Sequence, residues 1–310
     1  MLRVTTCVDL SLNKSEIKKI VFSLTDMVYS LTSDIVKTRL RIQTIREYQS
    51  LANVPMILLL LFIVGLVVGG MNAMGGGGTF LAFPVLMWSG LGSIPANIAS
   101  TLATFPGTLA TVFSYKKNLP FAKKKRLISY SLLGFLGGGV GAVLLLLMSN
   151  RQFSYCVPYL LFVASCAFTF RNFLTRYLPK NLHANGLLAI VLLAIASVYG
   201  GFFGAGFGII ILAILGITGM RDLHEMNAIR TLIGVSANVV AVILFSFSGK
   251  VSWPPTLMMG LGTMIGGHYG GRYFQRLPQK WVHWVIVGLA WGMTIWFIFS
   301  SYTLHNRVEN

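Results

Sequence analysis

Acidic side chains are scarce in this chain: its 310 residues contain 8 Asp and Glu, and none lies between Glu47 and Asp222. A stretch without carboxylates holds no carboxylate dyad, no carboxylate-rich metal site and no acidic proton relay, which removes those chemistries from residues 48–221. Cysteine is nearly as rare. Cys7, Cys156 and Cys166 offer neither a disulfide framework nor a Cys-x-x-Cys metal spacing, and Cys156 and Cys166 read as small apolar side chains of one helix. Charged residues make up 11% of the chain, against about 25% in ordinary globular domains. Nucleotide motifs are missing too. Gly78-Thr79-Phe80 lacks the lysine of a phosphate loop, and no acidic residue follows the glycines where a dinucleotide fingerprint needs one. No cofactor and no metal is expected.

What remains is long apolar runs. Apolar residues form 55% of the sequence and the mean hydropathy is +0.73. A bilayer-spanning helix needs about 20 such residues, and the runs recur often enough to define an all-α polytopic membrane protein. The net charge of +17 would suggest nucleic acid in a soluble chain. Here the basic residues sit in short loops and the N-terminal tail, which fits loop retention and contact with anionic headgroups rather than nucleic-acid binding. Lys116 to Arg126 and the stretch with Arg171, Arg176 and Lys180 are expected on the cytoplasmic side. Arg272, Arg276 and Lys280 ask for the same side, so the orientation of the second repeat stays open, parallel or inverted. Trp253, Trp281, Trp284 and Tyr115 read as interfacial anchors.

Residues 1–53 form a separate region with 8 Lys/Arg and 5 Asp/Glu. Ile17, Ile20, Val21, Leu24, Val28, Leu31 and Ile35 recur at helical spacing, as in an amphipathic helix on a membrane surface. A disordered tail, or a true start at Met27 or Met56, are the other readings. After it we expect about eight transmembrane helices in two four-helix repeats. Each repeat has a first helix broken at glycines and followed by a half-helix. The first repeat, residues 54–175, contains 54–72, a half-helix 79–90, 95–115, 127–148 and 153–171. A cytoplasmic linker covers 176–184. The second repeat, 185–301, contains 186–203, a half-helix 207–219, 224–248, 253–271 and 281–300, and a tail of 302–310 follows.

Two glycine clusters carry the duplication: Gly75-Gly76-Gly77-Gly78 and Gly204-Ala205-Gly206-Phe207-Gly208. Gly78 to Gly208 is 208 − 78 = 130 positions, and Asn97 to Asn227 is 227 − 97 = 130. Gly137-Gly138 and Gly141 match Gly266-Gly267 and Gly270 at an offset of 267 − 138 = 129 and read as close helix packing. Broken hydrophobic segments at matching places in two halves are the best sequence pointer to a transporter's binding site. A half-helix N-terminus offers backbone N–H groups and partial positive charge, and glycine leaves them accessible. Gly75, Gly76, Gly77, Gly78 and Thr79 on one side, with Gly204, Gly206 and Gly208 on the other, are therefore candidates to bind a small anion. Arg230 falls inside a predicted membrane helix, where an arginine is costly and by default functional, with snorkelling to the interface or pairing with Glu225 or Asp222 as the alternatives. Asn97 and Asn227 can be amide donors or helix caps. Thr231 can bind the ligand or bond its own helix backbone. His268 is the one proton-coupling candidate, with a buried structural histidine as the alternative. Nothing in the spacing brings Ser197 and His268 together as a hydrolytic dyad, so no enzyme is expected.

At these residues the chain resembles the sulfite exporter TauE/SafE family. The carriers are Gly69-Gly70-Met71-Asn72-Ala73-Met74-Gly75-Gly76-Gly77-Gly78 with Phe83-Pro84-Val85-Leu86, then Gly200 through Gly208 and Arg230-Thr231. The second half-helix departs from the first, since Ala213-Ile214-Leu215 has no counterpart of Pro84. The resemblance covers residues 54–301 and implies a bacterial inner-membrane permease for sulfite, organosulfonates or related sulfur and carboxylate anions. The expected function is thus a secondary transporter of small anions. A passive anion channel and a non-transporting scaffold or accessory subunit are the alternatives. Its expected partners are a small anionic substrate and the lipid bilayer, with a homo-oligomer left open.

Overall fold

The computed structural model describes residues 54–73, 77–115, 124–170, 186–220, 222–273, 284 and 287–299. The surface-helix reading of 1–53, Gly75, Gly76, the whole linker 176–184 and the C-terminal tail lie outside them. Residues 57–310 form one compact unit, and of the preceding unit only Val54 to Met56 are described.

The described residues form ten helices and no strand. In chain order they are α1 (Val54–Ala73), α2 (Thr79–Trp88), α3 (Ser93–Tyr115), α4 (Lys124–Leu147) and α5 (Asn150–Thr169). Then follow α6 (Gly186–Phe202), α7 (Phe207–Ile217), α8 (Leu223–Phe247), α9 (Trp253–Tyr273) and α10 (Val287–Phe299). Helix ends are made where the sequence supplies polar caps. Ser149 and Gln152 form a reciprocal capping box at the start of α5, and Asp222 accepts from the His224 N–H at the start of α8. Pro84, Pro106 and Pro158 lie inside α2, α3 and α5 without ending them, which packed membrane helices tolerate. Among the described residues, α1, α4, α5 and α8 contain spans long and apolar enough to cross a bilayer.

The arrangement is interleaved. α3 packs against α8, α4 against α6 and α8, and α9 against α3. Lipid is as apolar as leucine, so close packing rather than water exclusion must hold such helices together. Glycine makes it possible. A methyl group on Gly141 of α4 would lie 2.0 Å from the Val198 carbonyl oxygen of α6. One on Gly266 of α9 would lie 2.0 Å from the Leu66 carbonyl oxygen of α1. At both places two helix backbones touch.

Two apolar clusters hold the short helices. Phe83 of α2 meets Phe153 and Phe203 edge-on, and Phe80 meets Phe168 in the same way. Such pairs contribute about 0.5–1.5 kcal/mol each beyond their buried area. Around α7, Ile211 and Leu215 pack with Leu193, Met226, Ile229 and Ile233. Thus α2 is anchored to α5 and to the chain after α6, and α7 to α6 and α8. Both short helices begin at the same internal cavity.

Candidate functional site

The chain approaches this cavity at the starts of two short helices. α1 ends at Ala73 and α2 begins at Thr79. Just before α2, the Gly78 N–H donates to Asn72 Oδ1 at 3.0 Å, and Gly77 has φ +99°. Between α6 and α7 the N–H groups of Phe203 and Gly204 both donate to the Tyr199 carbonyl, at 2.9 and 3.2 Å. The chain then turns through Gly204 at φ +78° and Gly206 at φ +72°. These left-handed values cost a side-chain-bearing residue about 1 kcal/mol or more, and glycine nothing. The Tyr199 hydroxyl donates to the Ala205 carbonyl at 2.6 Å and pins the turn to α6.

Between these turns, α3 and α8 lies a cavity of about 100 Å³. Its wall includes seven of the residues singled out from sequence: Gly77, Thr79, Gly204, Gly206, Gly208, Arg230 and Thr231. Arg230 is 94% buried (6% exposed), and its guanidinium packs over Gly208, where a methyl group would sit 3.0 Å from Nη1. Buried to this degree, its charge is screened less than it would be at an exposed surface. The starts of α2 and α7 border the same space and add the positive ends of two helix dipoles.

Other candidates stand outside it. Gly78 is one step back, its N–H taken by Asn72. Asn97 is fully buried and ties α3 to the end of α6, its Nδ2 donating to the Phe202 carbonyl at 2.9 Å. Its Oδ1 has no hydrogen-bond partner among the described residues. Asn227 is half-buried and does not line the cavity, although its carbonyl accepts from Thr231 Oγ1 at 2.7 Å. His268 is exposed on α9 beside the Tyr269 ring, away from the cavity wall.

Six lining residues were not singled out as ligands from sequence: Asn72, Thr104, Thr108, Phe207, Gly234 and Asn238. A signal for two pairs was available. Thr108 and Asn238 are 238 − 108 = 130 positions apart and Thr104 and Gly234 are 234 − 104 = 130, the offset of the glycine clusters. Among the described residues, no group of three or more His, Cys, Asp or Glu side chains could hold a metal ion.

Tightly packed apolar helices, with Arg230 buried at the wall of a cavity among the described residues, define an integral membrane protein. The model of the sulfite exporter TauE/SafE family matches residues 61–297, and the chain belongs to that family. It is 25% identical over 252 residues to the "Probable membrane transporter protein" of Haemophilus influenzae, covering 80% of this chain and 97% of that one. It is also 25% identical over 251 residues to "Probable membrane transporter protein YfcA" of Escherichia coli, covering 80% and 92%. For "Probable membrane transporter protein ORF9" of Sinorhizobium sp the identity is 24% over 240 residues, covering 77% and 91%. No solved structure matches the chain.

Proposed function

We propose that the protein is a secondary transporter of small anions, with sulfite, organosulfonates and related carboxylates as the substrate range, working in a bacterial inner membrane and catalysing no covalent reaction. The observation that carries this reading is the burial of Arg230 at a cavity bordered by the starts of two short helices. Family membership and the names of the relatives support it.

In this reading α1, α3, α4 and α5 are the four crossing helices of one repeat and α6, α8, α9 and α10 those of the other, with α2 and α7 as half-helices. The packing of α4 on α6 and α8, and of α9 on α3 with the Gly266–Leu66 approach to α1, supports such exchanged repeats. The anion binds with its charge toward Arg230 and Gly208. Alternating access around the cavity, driven by the membrane potential or a proton gradient, carries it across. His268 is placed to relay protons only at a distance from the anion, so proton coupling through it would be indirect.

The test is uptake of labelled sulfite and sulfoacetate into proteoliposomes under an imposed pH gradient or membrane potential. Wild type should accumulate anion above equilibrium and Arg230→Gln should not, with both eluting as folded protein. Equilibration without accumulation would point to a passive channel. Fluxes equal to those of empty liposomes across a broad anion panel would leave only the scaffold reading.

A further inference from the structure

The cavity wall carries two kinds of polar group. The donors include the Arg230 guanidinium, the starts of α2 and α7, and Asn72. Because Asn72 Oδ1 accepts from the Gly78 N–H, the amide group that Asn72 leaves over is its NH₂, a donor. Thr104 and Thr108 of α3 and Thr231 of α8 line the cavity as well. All three hydroxyl hydrogens point away from the cavity into their own helices. Thr104 Oγ1 donates to the Ser100 carbonyl at 2.8 Å, Thr108 Oγ1 to the Thr104 carbonyl at 3.0 Å, and Thr231 Oγ1 to the Asn227 carbonyl at 2.7 Å. What these oxygens present to the cavity is lone pairs. Thr104 and Thr231 are also nearly fully buried, at 6% and 4% exposed, so an acceptor left unmatched there is costly.

A bare anion satisfies only half of this wall. Lone pairs repel its negative oxygens and push them toward Arg230, and nothing on it can answer the threonines. We propose that the site selects a small monoanion carrying its own O–H group, with the charge at Arg230 and Gly208 and the O–H donated to the Thr104 and Thr108 hydroxyl oxygens. This rests on the anion-transport reading and narrows it. A single guanidinium matches a single negative charge. The O–H has two chemical sources, an alcohol on a short organic anion or the acid proton of an inorganic oxyanion such as hydrogensulfite.

Two isosteric pairs test this by calorimetric binding to the full chain in nanodiscs. Isethionate and propanesulfonate differ only by hydroxyl against methyl, as do hydrogensulfite (in mildly acid buffer) and methanesulfinate. At least one hydroxylated member should bind roughly tenfold or more tighter than its methyl partner, since leaving a buried acceptor unmet costs about 1–3 kcal/mol. Discrimination in the first pair assigns an alcohol, and in the second an acid proton. In the Thr104→Val/Thr108→Val double variant, checked for monodisperse elution and an unchanged melting temperature, the preference should fall to within about twofold of unity. Binding without preference in either wild-type pair would overturn the inference and leave the anion site standing. A preference that survives intact in the folded double variant would overturn the role of the threonines. Failure of all four anions to bind would overturn the anion reading itself, and this inference with it.

Discussion

Replacing Gly208 by alanine probes the cavity through one methyl group. The new carbon would lie 3.0 Å from Arg230 Nη1 and 3.3 Å from Cδ, where ordinary contact begins at 3.4 Å. The guanidinium must therefore withdraw by about 0.4 Å. Nη1 is the far end of a flexible side chain, so the fold can absorb the change. Alanine in a helix also gains about 0.5–1 kcal/mol over glycine. Stability should stay within about 1 kcal/mol of wild type on these opposing terms. Anion affinity should not. A hydrogen bond to a charged group is worth about 1.5–3 kcal/mol, and losing a third to a half of it weakens binding roughly three- to tenfold. Calorimetric titration with isethionate and sulfite, beside thermal melting followed by tryptophan fluorescence, measures both quantities on one preparation. Wild-type affinity for every anion that binds, in a variant that melts normally, would refute the placement of the ligand at Arg230 and Gly208. A large drop in melting temperature would refute the claim that Arg230 yields cheaply.

The same substitution elsewhere should behave differently. A methyl on Gly201 would lie 2.0 Å from the Gly138 carbonyl oxygen, backbone against backbone, so Gly201→Ala should destabilise by about 1–3 kcal/mol or more and lower the melting temperature. Gly292→Ala on α10 meets nothing within 4 Å and should raise stability slightly, by up to about 1 kcal/mol. Tyr199→Phe removes the 2.6 Å bond to the Ala205 carbonyl. It should cost about 1–2 kcal/mol and loosen the turn before α7, read as faster hydrogen exchange at Phe203 to Phe207. Asn72→Leu strips the acceptor from the Gly78 N–H and should cost about 1–3 kcal/mol while weakening anion binding.

Helices were legible because lipid imposes them. Every backbone polar group in a bilayer must be satisfied internally, so a long apolar run has little choice but helix. Arg230 stood out for the same reason, as a charge with no cheap place in hydrocarbon. The polar wall was less legible. Thr104 and Thr108 are unremarkable in sequence, since threonine in a membrane helix ordinarily bonds the carbonyl one turn back. Theirs do bond it, and only the cavity gives the remaining lone pairs a meaning. Asn97 illustrates the converse. Its match to Asn227 at the repeat offset suggested a ligand, yet its amide reaches the Phe202 carbonyl of another helix. Periodicity reveals which residues are equivalent, but whether they face a cavity or a neighbouring backbone depends on how α3 and α6 cross.

One positive side chain on the cavity wall also bears on how such a site could release what it binds. A transport site must hold its ion firmly enough to select it and weakly enough to let it go. Two guanidiniums around a small anion in a dry cavity would deepen the well by several kcal/mol, an energy that the opposite side of the membrane must then overcome. Here one formal charge is supplemented by helix ends, and a dipole at a helix start contributes only about 0.3–1 kcal/mol, up to about 2 when partly buried. The threonine lone pairs go further and oppose negative charge where they line the cavity. On this argument an added cation should impair transport even as it improves binding. Thr108→Lys, which brings a second positive charge to the α3 wall, should tighten anion binding and slow turnover. Titration alongside proteoliposome flux checks both. Faster flux with tighter binding in this variant would show that attraction, and not release, limits the cycle.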